Sequence, residues 1–349
     1  MKEIPRRKAE ARERAVLSPF AARSGDSAGR ARAEEPCPVR TAYQQDCHRV
    51  VHSKAFRRLR GKTQVFLWPE GDHYRTRLTH CQEVSQIART LARALDLNED
   101  LAETIALGHD LGHTPFGHAG EEALERLMPG GFRHEQQSLR VVEKLENEGR
   151  GLNLTAEVRD GILRHSKGAG PMLAVPDDEL PRTLEGQIVR LADVIAYVNH
   201  DLDDALRARV LTLDEVPRDA TETLGSTHSS RITRLVLDVV EHTDLESSRR
   251  ISMSADAAGA LDEIRAFLYR KVYYNESVHA EFRKAIDMLE HLWRYFTGDL
   301  GRFYEEFWPA ALRDGTPEDD VRDFLAGMTD AFAVGLYERI FIPRRWYVY

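Results

Sequence analysis

The stretch GHDLGHTPFGHAGEE, residues 108–122, sets His109, Asp110, His113, His118 and Glu121 among glycines. Imidazole mixed with carboxylate offers the nitrogen and oxygen donors that suit Mn, Fe, Co, Ni or Zn, and the same groups move protons near neutral pH. A divalent ion needs several such donors converging from rigid elements. His80 and Asp193, on other predicted helices, complete with His109 and Asp110 a candidate set of metal ligands. Taken singly, each histidine reads as a satisfied core residue. An adjacent His-Asp pair at a helix end, followed by two more histidines, points to chemistry instead, because a buried polar cluster is costly to keep without a purpose.

The elements that must position these groups read as helices. In THCQEVSQIARTLARALDL the apolar Val84, Ile87, Ala88, Leu91 and Leu95 recur at helical spacing, and His80 precedes Val84 by one turn, so His80 faces inward. A helix over 99–111 stacks Leu101, Ile105 and His109, with Asp110 at its end. Gly112, Pro115 and Gly117 break that pattern, and HAGEEALERLM starts another helix with His118 and Glu121 in its first turn. GQIVRLADVIAYVNHDLDDAL carries one stripe of Ile188, Leu191, Ile195, Val198 and Leu202, and a second of Asp193, Tyr197 and Asp201 suited to wall a polar cavity. Residues 231–298 and 317–341 read as helical again. The stretches PMLAVPDDELPRT and DEVPRDATETLGSTHSS read as loops, 18–40 as an irregular arm, and KTQVFLWPEGDHYRT as at most a short hairpin. The expected fold class is all-α. Residues 1–75 form a basic arm and substrate-binding segment, 76–210 a metal-binding helical core, and 211–349 a C-terminal helical region packed on that core.

Composition narrows the class. Hydrophobic residues make up 42% and charged residues 30%, as in soluble globular chains. No apolar run approaches the roughly 18 residues needed to cross a bilayer, so no membrane partner is expected. MKEIPRRKAEARERAVL lacks the apolar region of a secretory signal, and Cys37, Cys47 and Cys81 form neither an even set nor a CxxC pair. A cytoplasmic location follows. The net charge of -8 hides an asymmetry, because residues 1–80 hold 18 Lys and Arg against 9 Asp and Glu. A phosphate-bearing small molecule, or else single-stranded nucleic acid, would meet that basic part first.

The motifs together resemble a known family. His80, then His109-Asp110, then Asp193 follow the arrangement of HD-domain phosphohydrolases. SPFAARSGDSAGR, HSKAFRRLRGKTQVF, RTRLTH, GHDLGHTPFGHAGE, HEQQSLRVVE, ADVIAYVNHDLDDAL and DFLAGMTDAFA, in that order over about residues 17–340, are similar to the deoxyguanosinetriphosphate triphosphohydrolase family. The resemblance implies an HD-domain helical bundle around one divalent metal ion per active site (Mg, Mn, Co, Ni, Fe or Zn). It implies hydrolysis of a deoxynucleoside triphosphate (dNTP), dGTP or another, at the α-phosphate to deoxynucleoside and inorganic triphosphate. By position, His80, His109, Asp110 and Asp193 resemble the metal ligands, and His118 and Glu121 the catalytic pair. His113 and His134 resemble further active-site histidines facing the phosphates. Gln64 resembles the residue that meets the sugar 3'-hydroxyl and Arg77 a phosphate ligand. Tyr197 and Asp201 look like residues at the sugar and phosphates, and Tyr273 or Tyr274 like one near the sugar or base. A dNTP effector and a homo-oligomer, tetramer or hexamer, are further implications.

The physical reading stands beside that assignment. Glu121 in a first helical turn is stabilised as an anion by the helix dipole and would raise the proton affinity of His118. His118 then moves a proton, from the attacking water or to the departing 5' oxygen. Two other readings stay open: an HD-domain nucleotidase or phosphodiesterase on another nucleotide, and a nucleotide-sensing or nucleic-acid-binding regulator on the same fold. Gln64, Tyr197 and Asp201 argue against the first, and the intact ligand set with His118 against the second.

Overall fold

The computed structural model describes residues 4–64, 75–166, 175–273 and 276–343, with the side chains of 273 and 276–278 outside that description. Helices begin where a capping side chain meets an apolar stripe. After α1 (Pro5–Val16), Thr41 caps α2 (Ala42–Val51) and Ser53 caps α3 (Lys54–Arg58) by accepting from backbone amides. A capping box at Thr76 opens α4 (Arg77–Ala94), and Asn98 caps α5 (Glu99–Gly108). Then come α6 (His118–Leu127), α7 (His134–Arg140), the turn α8 (Glu146–Gly149) and α9 (Ala156–Arg164). Thr183 caps α10 (Leu184–Arg207), 24 residues long. The chain closes with α11 (Arg218–Leu224), α12 (His228–His242), α13 (Ala255–Leu268), α14 (Glu276–Gly298), α15 (Leu300–Glu306), α16 (Pro317–Ala326) and α17 (Asp330–Phe341).

Among the described residues there is no sheet, only isolated bridges at Arg30 with Thr155 and at Thr63 with Thr76, so the all-α expectation is met. The expected hairpin falls largely on 65–74, outside the described residues; the described residues on either side carry the isolated Thr63–Thr76 bridge. Two expectations are corrected, the first being a helical reading of all of 231–298, since residues 243–254 between α12 and α13 form a connection whose polar Thr, Asp, Ser and Arg residues break the apolar stripe. DEVPRDATETLGSTHSS is not all loop, because Ala220 and Leu224 are buried and anchor α11 within it, an apolar pair masked by polar neighbours. No helix among the described residues is long and apolar enough to cross a membrane.

Apolar burial organises two cores. The larger joins α2, α4, α5, α9, α10 and α13 around residues such as Leu91, Leu101, Ile105, Ile162 and Ile195. The second joins α6 to α14, α16 and α17 through Phe116, Leu124, Leu289, Phe296 and Leu325. The motif 108–122 spans both cores: α5 delivers it from the first, and α6 seats it in the second. Two glycines make that passage feasible. A Cβ on Gly112 would stand 2.1 Å from the backbone nitrogen of Ser138, so the loop can pass α7 only there. Phe116 and Gly117 both have positive φ, 63° and 54°, a reversal that brings His118 to the start of α6. Left-handed Phe116 is strained, and such strain concentrates at functional sites.

Candidate metal centre and active site

Helix packing brings together the donor atoms that the sequence keeps far apart. His80 projects from α4, His109 and Asp110 follow the end of α5, and Asp193 sits in α10. His80 Nε2 lies 3.0 Å from Asp193 Oδ1 and 3.8 Å from Asp110 Oδ2. His109 Nε2 lies 3.4 Å from Asp110 Oδ1 and 3.7 Å from Asp193 Oδ1. His80, His109 and Asp110 are all buried.

His109 supplies the test of fit for a cation. Its Nδ1 donates to the Ala106 carbonyl at 2.7 Å, so in the neutral ring Nε2 carries a lone pair. That Nε2 is buried without a hydrogen-bond partner, facing two carboxylate oxygens. An orphaned lone pair among carboxylates is what a divalent ion satisfies and what a structural histidine avoids. The described donors fit a cation.

The surrounding groups hold this set in place. Arg77 Nη1 donates to Asp110 Oδ2 at 2.8 Å with both side chains buried. Burial opposes ionisation of Asp110, but the hydrogen bond from His113 and the charge of Arg77 overcome it and keep the carboxyl well below its ordinary range. Of these, only Arg77 has a charge that does not titrate. Burial likewise opposes ionisation of Asp193, and the hydrogen bond and charge of His80 drive its carboxyl low. His80 Nδ1 lies 2.8 Å from His200 Nε2, and His200 Nδ1 lies 2.9 Å from Asp201 Oδ1.

A second cluster adjoins the first. His113 Nε2 lies 3.2 Å from Asp110 Oδ1, and its ring stacks on His134 with centroids 4.0 Å apart. Burial, then the charge of Arg77, pushes the His113 pKa well down, so this ring is neutral. His134 behaves oppositely. Burial opposes its charge, yet Glu121 Oε1, 2.8 Å from Nδ1, raises it to about 9. On the other side His134 Nε2 meets His165 Nε2 at 3.1 Å, and burial with neighbouring His109 and His134 lowers His165 to about 3. A cationic His134 thus donates to Glu121 and to neutral His165, whose Nδ1 donates to the Ile162 carbonyl at 2.7 Å.

Glu121 therefore pairs most closely with His134, whereas the sequence placed it with His118. His118 Nδ1 lies 3.6 Å from Glu121 Oε2, with its side chain 52% exposed at the rim. The open side of the cluster is a cavity of about 220 Å3 whose wall includes Gln64, Arg77, His118, Tyr197, Asp201 and Tyr269. Gln64 Oε1 is buried without a partner, an acceptor free for a ligand hydroxyl. Burial lifts the Tyr197 phenol far above its ordinary pKa, so it stays a donor. The side chain of Tyr273, and all of Tyr274, lie outside the described residues. A larger groove of about 700 Å3 runs past Arg49, His52, Lys54 and Arg57 but lacks a converging donor set.

The sequence reading missed His165, His200 and Tyr269. His165 follows Val158 and Ile162 at seven and three residues, a helical spacing like the eight and four at which His109 follows Leu101 and Ile105. His200 stands seven residues after Asp193, two turns along the same helical face.

Comparison with known proteins agrees with this geometry. Residues 77–198 match the HD domain and residues 251–339 the phosphohydrolase-associated domain. A deoxyguanosinetriphosphate triphosphohydrolase-like protein of Caldanaerobacter subterraneus subsp. tengcongensis is 53% identical over 95% of this chain and 94% of its own length. A protein so described from Desulfatibacillum aliphaticivorans is 50% identical over 97% of this chain and 98% of its own. Among solved structures, a phosphohydrolase from Bacteroides thetaiotaomicron superposes with a TM-score of 0.51 at 18% identity, covering 84% of this chain and 69% of that one. That likeness concerns the fold alone.

Proposed function

We propose that this chain, which belongs to the deoxyguanosinetriphosphate triphosphohydrolase-like family of HD-domain phosphohydrolases, hydrolyses a dNTP at its α-phosphate, releasing deoxynucleoside and inorganic triphosphate. The observation that carries the reading is the orphaned lone pair of His109 Nε2 among Asp110, Asp193 and His80, beneath a cavity walled by phosphate- and sugar-type partners. His80, His109, Asp110 and Asp193 would hold one divalent ion. Bound there, it supplies Lewis acidity at the phosphoryl group under attack and lowers the pKa of a water.

The chain's own groups do the rest. Arg77 fixes Asp110 through one nitrogen, while its Nε, buried without a partner, remains for a phosphoryl oxygen. Cationic His134 faces the phosphates with its charge maintained by Glu121. His118 stands at the rim, where a proton must reach the departing 5' oxygen or leave the attacking water. Gln64 accepts from the sugar 3'-hydroxyl, and Tyr197 with Asp201 closes the wall along α10.

The test is a product assay with each of the four dNTPs under Mg, Mn and Co. Inorganic triphosphate and deoxynucleoside in equal amounts are expected. Pyrophosphate with deoxynucleoside monophosphate, or turnover of monophosphates alone, would place the chain with another HD-domain reaction. The preferred base is read from the same assay.

A further inference from the structure

Three arginines are buried among the described residues: Arg77, Arg190 and Arg231. Two are matched. Arg77 meets Asp110 at 2.8 Å, and Arg231 meets Asn199 Oδ1 at 2.6 Å and Asp203 Oδ1 at 3.0 Å. Arg190 is 4% exposed, its Nε is buried without a partner, and no described residue gives its guanidinium a hydrogen bond or ion pair. Burial, then the charge of Arg250, draws its pKa down to about 10, outweighing the more distant carboxylates of Asp193 and Glu179, neither of which is within ion-pair distance. It still carries its charge at neutral pH. A folded chain does not keep an unmatched buried cation cheaply.

The place of Arg190 on α10 says what the charge faces. Val194, Tyr197 and Asp201 line the cavity and follow Arg190 by four, seven and eleven residues. At 3.6 residues per turn all three point within about 40° of its direction around the helix axis. Asp193 follows by three residues, a rise of about 4.5 Å. Arg190 thus continues the face that walls the cavity, one turn beyond Asp193 and just outside the residues that line it. A helical side chain leans toward the helix N-terminus, which carries the guanidinium away from Asp193 along that wall.

We propose that Arg190 is a specificity-determining residue whose guanidinium is the counter-charge for the terminal phosphoryl group of the substrate, at the end of the cavity beyond Asp193. The inference rests on the triphosphohydrolase reading and adds the residue that distinguishes a triphosphate from a shorter tail. A planar fork suits a phosphoryl group with two or more free oxygens, which a diphosphate positioned by its α-phosphate cannot bring to that point.

The experiment uses metal-loaded protein in excess Mg2+ and inorganic triphosphate as the calorimetric probe, with steady-state kinetics on dNTP and dNDP alongside. In Arg190→Gln, triphosphate affinity should fall by about 10- to 100-fold, the range for a lost charge-assisted pair. KM for dNTP should rise in parallel, and the preference for dNTP over dNDP should shrink. Arg190→Lys, a point charge without the fork, should fall between. The ligand-free Tm of the Gln variant should stay level or rise, since an unmatched cation has been removed. A merely structural arginine would instead give a lower Tm with triphosphate affinity intact. Affinity within about twofold of wild type in Arg190→Gln, a difference too small for a lost ion pair, overturns the proposal. If that variant does not fold, unchanged affinity in Arg190→Lys overturns it equally. Wild-type protein that binds triphosphate through Arg190 yet turns over no dNTP would sink only the functional reading. Turnover with affinity unchanged in the variants would sink only the inference.

Discussion

Glu121 has an oxygen 2.8 Å from His134 and another 3.6 Å from His118, so its main electrostatic work is done on His134. That ring is raised from the ordinary 6.5 to about 9, against the pull of burial. A group raised on folding contributes stability that is whole below the unfolded value and is lost as pH rises through the folded one. The charge that faces the phosphates should therefore survive to about pH 9 and vanish above it. In Glu121→Gln the largest raising partner is gone while burial remains, with only the weaker pull of Asp110 and Glu135 against it, so His134 should titrate well below 9 and the alkaline limb of kcat/KM should move toward neutrality. A pH–rate profile of the variant with its limb still near that of wild type would separate His134 from the reaction. The two kinds of residue in the site should also part cleanly. His118→Ala, at the rim, should retain metal and lose about 10²- to 10⁴-fold in kcat, whereas Asp193→Ala should lose metal too; metal analysis of both purified variants decides.

At the scale of elements, the helices that carry the candidate ligands were legible because histidine replaces an apolar residue on an otherwise regular stripe. His80 before Val84 and His109 after Ile105 announced themselves in that way, and both are buried. Asp193, Tyr197 and Asp201 announced a polar wall by their spacing, and all three line the cavity. Pairings between elements were not legible. The i, i+3 rule joins Glu121 to His118 within α6, but the turn after α6 brings His134 closer, and helix periodicity carries no information about that turn. Glu185, in the first turn of α10, belongs with these hidden partners. It is fully buried, accepts from the backbone amides of Ala22 at 3.0 Å and Asn98 at 2.9 Å, and so ties the irregular arm to the helix that carries Asp193. Burial lifts its pKa to about 7 from 4.5, leaving a proton bound near neutrality. With the folded value raised, its favourable contribution is whole below 4.5 and is lost as pH passes 7. Glu185→Gln keeps an accepting oxygen without a charge. Its Tm relative to wild type should therefore improve from about pH 4.5 to about pH 7 and level off above that, on the order of the single-group effects known for buried carboxyls. A difference independent of pH in thermal melts would rule out Glu185 as the titrating group.

Taken whole, the described residues form two apolar cores with the candidate active site strung across their junction, and buried polar ties hold that junction together. Asp330, at the start of α17 in the second core, accepts from Thr63 N at 3.1 Å, Thr63 Oγ1 at 2.7 Å and Phe116 N at 2.9 Å. Lys62, fully enclosed, donates from Nζ to the Ala326 carbonyl at 2.8 Å and to the His113 carbonyl. These bonds fix the strip that ends at Gln64 and the loop that ends at His118, so substrate contacts on one side of the cavity are held by the C-terminal helices. The proposed metal ligands His80, His109 and Asp193 lie on elements packed in the other core. Asp330→Ala removes an acceptor from three donors, two of them backbone amides with no obvious replacement. Leaving buried donors unmatched should cost about 2–4 kcal/mol, seen as a lower urea midpoint. Because misplacing a reacting group by about 1 Å can cost on the order of 10²-fold, kcat should fall by more than the folded fraction accounts for. Metal content should stay at the wild-type level. Asp330→Asn, which still offers one accepting oxygen, should recover part of both losses. Equal loss of metal and activity in Asp330→Ala would mean that the two cores do not divide the labour in this way, and that the ligand helices lean on the C-terminal region after all.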